Sequence, residues 1–360
     1  MNKLYIIFLV ATTVLGCVSC NNEWEDEQFY QMASFKAQPN AQGVTTTYVR
    51  YVSEGTRRYE LPIIMSGSTM NSSNRNIHVV VDNDTLKTLN YEHYGDREEL
   101  YFQQMPADYY SFPETVTVQA GECQTVLSID FKLGGSDNQT PLDQADKWVL
   151  PLTIVDDESY NYMANPRKYY RKALLRFMPF NDYSGTYDGT QLRITMEGAP
   201  SGEGNLQINE HRSFVVDENT IFFYMGHRDI DYLDRKLYKV FVEFTDEDVE
   251  GAQIGAKKLN LWTDNPGTEG NNFTILTEDD NGEPFQAYYT KWEEMDATKP
   301  YMKHIYIILH IRYTYEDYTT APGVRLKYTV SGSLSMQRDL NTLIPDEDQL
   351  VSYTHLRAHE

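Results

Sequence analysis

The chain has 360 residues, 53 acidic against 31 basic, for a formal charge of −22. That balance makes nucleic acid or an anionic membrane surface a poor partner, because both repel a strongly acidic protein. With only 3 cysteines, a multiple-disulfide framework and a cysteine metal quartet are both excluded.

Lys3 is the only charge before the apolar run Leu4–Gly16, which is too short for a spanning helix of roughly 20 residues and reads as a signal-peptide core. It ends in "VLGCVSC", where Cys17 and Cys20 each complete a string that resembles a bacterial lipobox. The residues that follow, "NNEWEDE", favour Cys20 as the lipidated residue, since similar acidic strings follow the anchored cysteine in Bacteroidota surface lipoproteins. Two or three acyl chains on one sulfur hold a protein at a membrane essentially permanently, at about 0.8 kcal/mol per buried methylene. The alternative is a secreted chain with a Cys17–Cys20 or Cys20–Cys123 disulfide. Cys123, in "AGECQTVLSID", is expected to fill space in a core.

Short β-branched and aromatic runs bounded by Gly, Asn, Asp and Ser come next: "YELPIIMSG", "IHVVVD", "ETVTVQAGECQTVLSIDF" and "KWVLPLTIVDD". Trp148 in the last of these is assigned to the core. One stretch, "NDTLKTLNYEHYG", predicts a helix capped by Asn83 or Asp84. "KYYRKALLRFMPF", Lys168 to Phe180, has helical propensity but stands where a closing strand is expected, and is read as strand. Turn formers gather at Asn181–Gly189 and mark a boundary between domains.

The second half alternates more cleanly. In "HIYIILHIRYTYEDY", Ile305, Ile307, Leu309, Ile311, Tyr313 and Tyr315 share one face, and His304, Tyr306, Ile308, His310, Arg312 and Thr314 the other. "VRLKYTVSGSLSMQR" repeats the pattern. Such long period-two runs predict antiparallel strands with one wet face. Hairpins are expected around Asp217–Asn219 and Asn281-Gly282. The fold class is therefore all-β: an N-terminal immunoglobulin-like β-sandwich and a C-terminal antiparallel β-sandwich or barrel. The expected organisation is a signal peptide at 1–19, an acidic tether at 20–27, a first domain at 28–180 and a second at 181–350. The last ten residues, 351–360, carry an abrupt pair of His with no apolar period, and are read as foreign to the native gene.

"NNEWEDEQFYQMASFKA", "GTRRYELPIIMSGS", "YYSFPETVTVQAGE" and "LPLTIVDD" resemble an N-terminal domain of Bacteroidota lipoproteins that also occurs fused to family-18 endo-β-N-acetylglucosaminidases. "NDYSGTYDG", "IFFYMGHRDIDYLDRKLYKV" and "GSLSMQRDLNTLIPDEDQ" resemble the uncharacterised C-terminal domain that accompanies it. The resemblance covers roughly residues 22–349. It implies a cell-surface lipoprotein of polysaccharide-utilisation systems that binds glycan, with importers and other surface lipoproteins as partners. It carries over no ligand residues.

Chemistry-bearing motifs are sparse. "EFTDEDVE", Glu243–Glu250, nearly matches the family-18 acid motif D-x-x-D-x-D-x-E, but the second half lacks the alternating strands and helices of a TIM barrel. It is read as an acidic loop after a strand. His304 and His310 lie about 20 Å apart on one strand and cannot share a metal. The acidic clusters "EDDNG" and "PDEDQ" lack the spacing of a calcium loop and read as turns. No catalytic residue, metal site or cofactor is expected. Of the 28 Tyr, most suit half-buried strands. Some aromatics, though, lie where a pyranose could stack: Trp262 before a Gly- and Asn-rich loop, Tyr288 and Trp292 on one strand face, and Tyr224 and Tyr232 around "MGHRDID". These five are the candidate glycan-binding residues. A structural subunit of a lipoprotein complex that binds no sugar is the alternative, and a glycoside hydrolase the third reading.

Overall fold

The computed structural model describes residues 27–133, 147–199 and 204–344. Strand accounts for 47% and helix for 9%, far below the third that is typical of globular helix content, so the class is all-β with curled sheets in two domains. Cys17, Cys20, the cluster Pro345–Gln349 and the tail Val351–Glu360 lie outside the described residues.

In the first domain two sheets face each other. One runs in the order Met163–Ala164, Met32–Phe35, Arg57–Met65, Gln124–Phe131, Tyr110–Ser111. The other runs Thr45–Arg50, Lys172–Phe180, Trp148–Ile154, Arg75–Val81, Thr115–Val118. Leu61, Ile63, Leu127 and Phe131 close on Ile77, Leu150, Leu152 and Phe177 to make the core. A helix, Asn83–Tyr94, covers the outside of the second sheet and sets Leu86 and Leu89 on Val149 and Leu174. Trp148–Ile154 is thus buried on both faces, which is why its sequence is an unbroken apolar run. Trp148 belongs to that core and stacks on Tyr109 at 5.2 Å.

Three local expectations are corrected. The helix is capped by Asp82, not Asn83 or Asp84: its carboxylate accepts the Thr85 N–H at 3.1 Å and the Thr85 hydroxyl at 2.7 Å, and pairs with Lys172 at 2.9 Å. Lys168–Arg171 forms a helical turn before the strand Lys172–Phe180 begins. Cys123 is exposed in the bend that precedes Gln124–Phe131, so it fills no core.

Among the described residues the second domain is one 12-stranded sheet curled around its own apolar interior. Its main path runs Leu192–Met196, Leu326–Asn341, Met302–Asp317, Tyr288–Met295, Lys257–Trp262, Lys239–Asp248, Thr220–Tyr224. The long hairpin of Met302–Asp317 with Leu326–Asn341 alternates as its sequence requires: Ile305, Ile307, Leu309, Ile311, Tyr313 and Tyr315 are all buried. The turn at Asp217–Asn219 joins Phe214–Val215 to Thr220–Tyr224. "EFTDEDVE" is not a loop: Lys239–Asp248 runs through it with a bulge after Phe244. Its carboxylates face cross-strand partners, Glu243 to Asn260 at 2.8 Å, Glu247 to Lys258 at 2.9 Å and Asp248 to Lys257 at 2.7 Å.

Polar contacts fix the start of the second domain. The Asn181 side chain accepts the Ser184 N–H at 2.7 Å and donates to the Asp217 carbonyl at 2.7 Å, while Arg338 donates to the Asn181 and Ser184 carbonyls. Arg50 pairs with Asp182 at 2.8 Å, and Val215 of the second domain packs into the first domain's core.

Candidate functional site

Strand register builds rows of side chains across the outer face of the second domain. Because the hairpin buries one face, every alternate residue must stand outward. Trp292 falls opposite Tyr306, and Tyr306 opposite Gln337. Two residues along, Thr290, Ile308 and Ser335 form the next row; then come Tyr288, His310 and Ser333. The facing aromatics stack. Trp292 lies on Tyr306 at 5.0 Å and 15°, and Tyr288 on His310 at 4.4 Å and 19°. Trp292 keeps 44% exposure, so one ring face stays open to solvent. Two aromatic stacks therefore stand about 14 Å apart along the strands. Between them lies a small floor of Thr, Ile and Ser, in which the buried Thr290 Oγ1 has no protein partner.

The rim is polar. The Tyr306 hydroxyl donates to Glu294 at 2.9 Å, and Gln337 to Asp339 at 2.9 Å. His304 sits between Asp339 at 2.7 Å and Asp296 at 3.1 Å, and those two hydrogen bonds raise its pKa above the ordinary value. Asp296 is held well below the usual carboxylate range, first by the Thr298 hydroxyl, then by backbone N–H groups and by His304. Burial lowers His310, so its ring is a neutral stacking partner. Near the other end Arg312 reaches Asp280 at 2.7 Å, and Asp279 is occupied with the N–H groups of Asn281 and Glu283. The "EDDNG" stretch is thus turn chemistry. Among the described residues, no group of three or more His, Cys, Asp and Glu is arranged to hold a metal ion.

The other predicted residues do not join this surface. Trp262 stacks on Phe241 at 5.5 Å and keeps 40% exposure, but it ends a row that continues through Phe222 to Phe214. Lys258, not Trp262, is opposite Tyr288, so measured along the strands Trp262 lies about 14 Å from Tyr288 and about 27 Å from Trp292. Tyr224 is only 5% exposed; its ring is packed by Phe214 and Phe222 and its hydroxyl accepts from Arg235, so it offers no open face. Tyr232 is on the surface, edge-on to His227, in the loop between Thr220–Tyr224 and Lys239–Asp248.

That loop has a different purpose. Arg228 is fully buried, with its guanidinium 3.5 Å over the Tyr238 ring and ion pairs at 3.0 Å to both Asp234 and Asp317. It also donates to Thr319 and Thr320 at 3.2 and 3.3 Å. Burial opposes the Asp317 charge, yet hydrogen bonds from Thr320 and Thr319 and the Arg228 charge outweigh it and hold that carboxyl well below its usual range. Gly226 has φ of 58°, and a Cβ there would meet the Tyr315 hydroxyl at 2.0 Å, so only glycine fits. The arrangement is a structural pin whose Arg228–Asp317 pair is closed to solvent.

Residues 24–158 match a domain of unknown function, DUF4973, and residues 171–335 match a family of C-terminal domains. A protein of unknown function from Bacteroides ovatus is 38% identical, with 89% of this chain and 96% of that one covered and a TM-score of 0.75. Another from Bacteroides ovatus is 41% identical, over 89% and 99%, with a TM-score of 0.73. An auxiliary nutrient binding protein from Bacteroides thetaiotaomicron is 35% identical, over 86% and 96%, with a TM-score of 0.70. No curated protein matches the chain.

Proposed function

This chain belongs to the same family as those Bacteroides proteins, and from that premise we propose that it binds glycan at the bacterial cell surface. The observation that carries this reading is the pair of stacks, Trp292 on Tyr306 and Tyr288 on His310, on a solvent face with hydroxyls between them. An open aromatic face suits the apolar side of a pyranose, and the rim supplies groups for its hydroxyls. One relative is named for nutrient binding, which supports the same direction. Binding without hydrolysis fits the carboxylates nearby, because Asp296 and Asp339 are committed to His304, and Glu294 to Tyr306.

The test is affinity electrophoresis and calorimetry against a panel of host and plant glycans. Dissociation constants of roughly micromolar to millimolar are expected. Trp292→Ala should abolish binding and Tyr288→Ala should weaken it at least about tenfold, both with unchanged circular dichroism. Trp262→Ala should weaken binding less than Trp292→Ala, since its ring lies about 27 Å from the Trp292 stack along the strands. Full affinity in Trp292→Ala and Tyr288→Ala would move the site elsewhere. No binding to any glycan would favour a structural subunit of a surface complex.

Placement at the membrane rests on the lipobox-like string before Cys20. Cys20→Ala should leave an unprocessed precursor that takes up no labelled palmitate. Labelling that persists in Cys20→Ala and is lost in Cys17→Ala would reassign the anchor.

A further inference from the structure

Resting on the glycan reading above, we propose that the Trp292 end of this surface selects neutral sugars and rejects anionic ones. The argument is electrostatic and local. Glu294 flanks the stack through the Tyr306 hydroxyl, and Asp296 and Asp339 flank it through His304. Even with His304 charged, carboxylates outnumber cations around the ring that would carry the sugar. Cations elsewhere on these strands' outer face already have partners: Lys258 with Glu247 at 2.9 Å, Arg312 with Asp280 at 2.7 Å, and Lys327 with Glu197 at 2.9 Å.

A neutral pyranose gains from this arrangement, because carboxylate oxygens accept hydroxyl hydrogens strongly. A uronate, sialate or sulfate brings a further negative charge within a few ångströms of these three carboxylates, whose close partners are the Tyr306 hydroxyl and His304. The floor between the stacks agrees. Thr290, Ile308, Ser333 and Ser335 carry no charge, and the Thr290 hydroxyl is nine-tenths buried without a protein partner. An anion would find no compensating charge on that floor.

The experiment compares glycans that share a backbone and differ only in charge, by calorimetry at low and high salt. Suitable pairs are desialylated and sialylated N-glycans, neutral and sulfated galactan, and methyl-esterified and de-esterified pectin. The neutral member of the pair that binds should be at least about tenfold tighter in low salt, and the gap should narrow in about 0.5 M NaCl as screening shortens the field. A double variant, Glu294→Gln with Asp339→Asn, should narrow it as well while Trp292 remains in place. Equal or tighter binding of the anionic member overturns this proposal alone. Binding by neither member of any pair overturns the glycan reading and this proposal with it.

Discussion

Arg228→Ala should lower the melting temperature of the second domain by roughly 10 °C, the result of losing about 3–5 kcal/mol. The reason is burial. Arg228 has no side-chain exposure and Asp317 only 1%, so removing the cation strands a carboxylate that cannot reach water. Nor can Asp317 simply take a proton at neutral pH, since N–H groups of Thr319 and Thr320 still favour its charged form. The Tyr238 ring also loses the guanidinium stacked on it. Lys in this place should rescue little, because it cannot stack flat on the ring while reaching Asp234 and Asp317 together. Removing both charges, as Arg228→Met with Asp317→Leu, should recover most of the loss, because a buried pair often contributes little beyond a well-packed apolar replacement. A single Arg228→Ala that melts within 2 °C of the parent, read by calorimetry (an effect below about 1 kcal/mol), would show that the pin is not structural.

How much of this was legible beforehand depended on whether the cause was local. The alternation through Met302–Asp317 needed only period two, so its buried face was readable residue by residue, and so was its wet face with Tyr306 and His310. What the alternation could not supply was register. Tyr288 meets His310, and Trp292 meets Tyr306, only because two strands pair at one offset out of many. The same offset sets Trp262 about 27 Å from Trp292 along the strands, a separation that period two alone does not give. Long-range polar partners were hidden in the same way. Asp82 caps the helix with help from Lys172, ninety positions on, and local spacing pointed to its neighbours instead. Arg228 stood in a noted motif, but its burial comes from Asp317, Thr319 and Thr320 on a distant strand end. Cys123 misled because strand residues follow it at once, while the turn that ends on it faces outward.

The other large expected effect is a loss of stability in mild acid, centred on His211. This ring is buried, stacked on Phe223 at 5.1 Å and 13°, and burial lowers its pKa from 6.5 to about 4. In the unfolded chain the imidazole takes up its proton near 6.5; in the fold it resists until about 4. Between those values the unfolded chain binds more protons, so stability falls as the pH falls. The contribution is complete above about 6.5 and is gone below about 4, a change of about 3 kcal/mol across the window. Asp317 acts in the same direction, but its folded pKa lies below the usual carboxylate range, so its contribution fades only in stronger acid. His304 acts elsewhere: its pKa is raised, so its contribution is full below the ordinary histidine value and is lost as the pH rises through the folded one. Urea unfolding at pH 7, 6, 5 and 4 separates these windows. The wild type should lose about 3 kcal/mol from this residue over that range, whereas His211→Phe, which keeps an aromatic ring against Phe223, should show a slope shallower by that amount. Parallel pH profiles for the two proteins would mean that His211 takes its proton in the fold as readily as outside it, and the burial argument would fail.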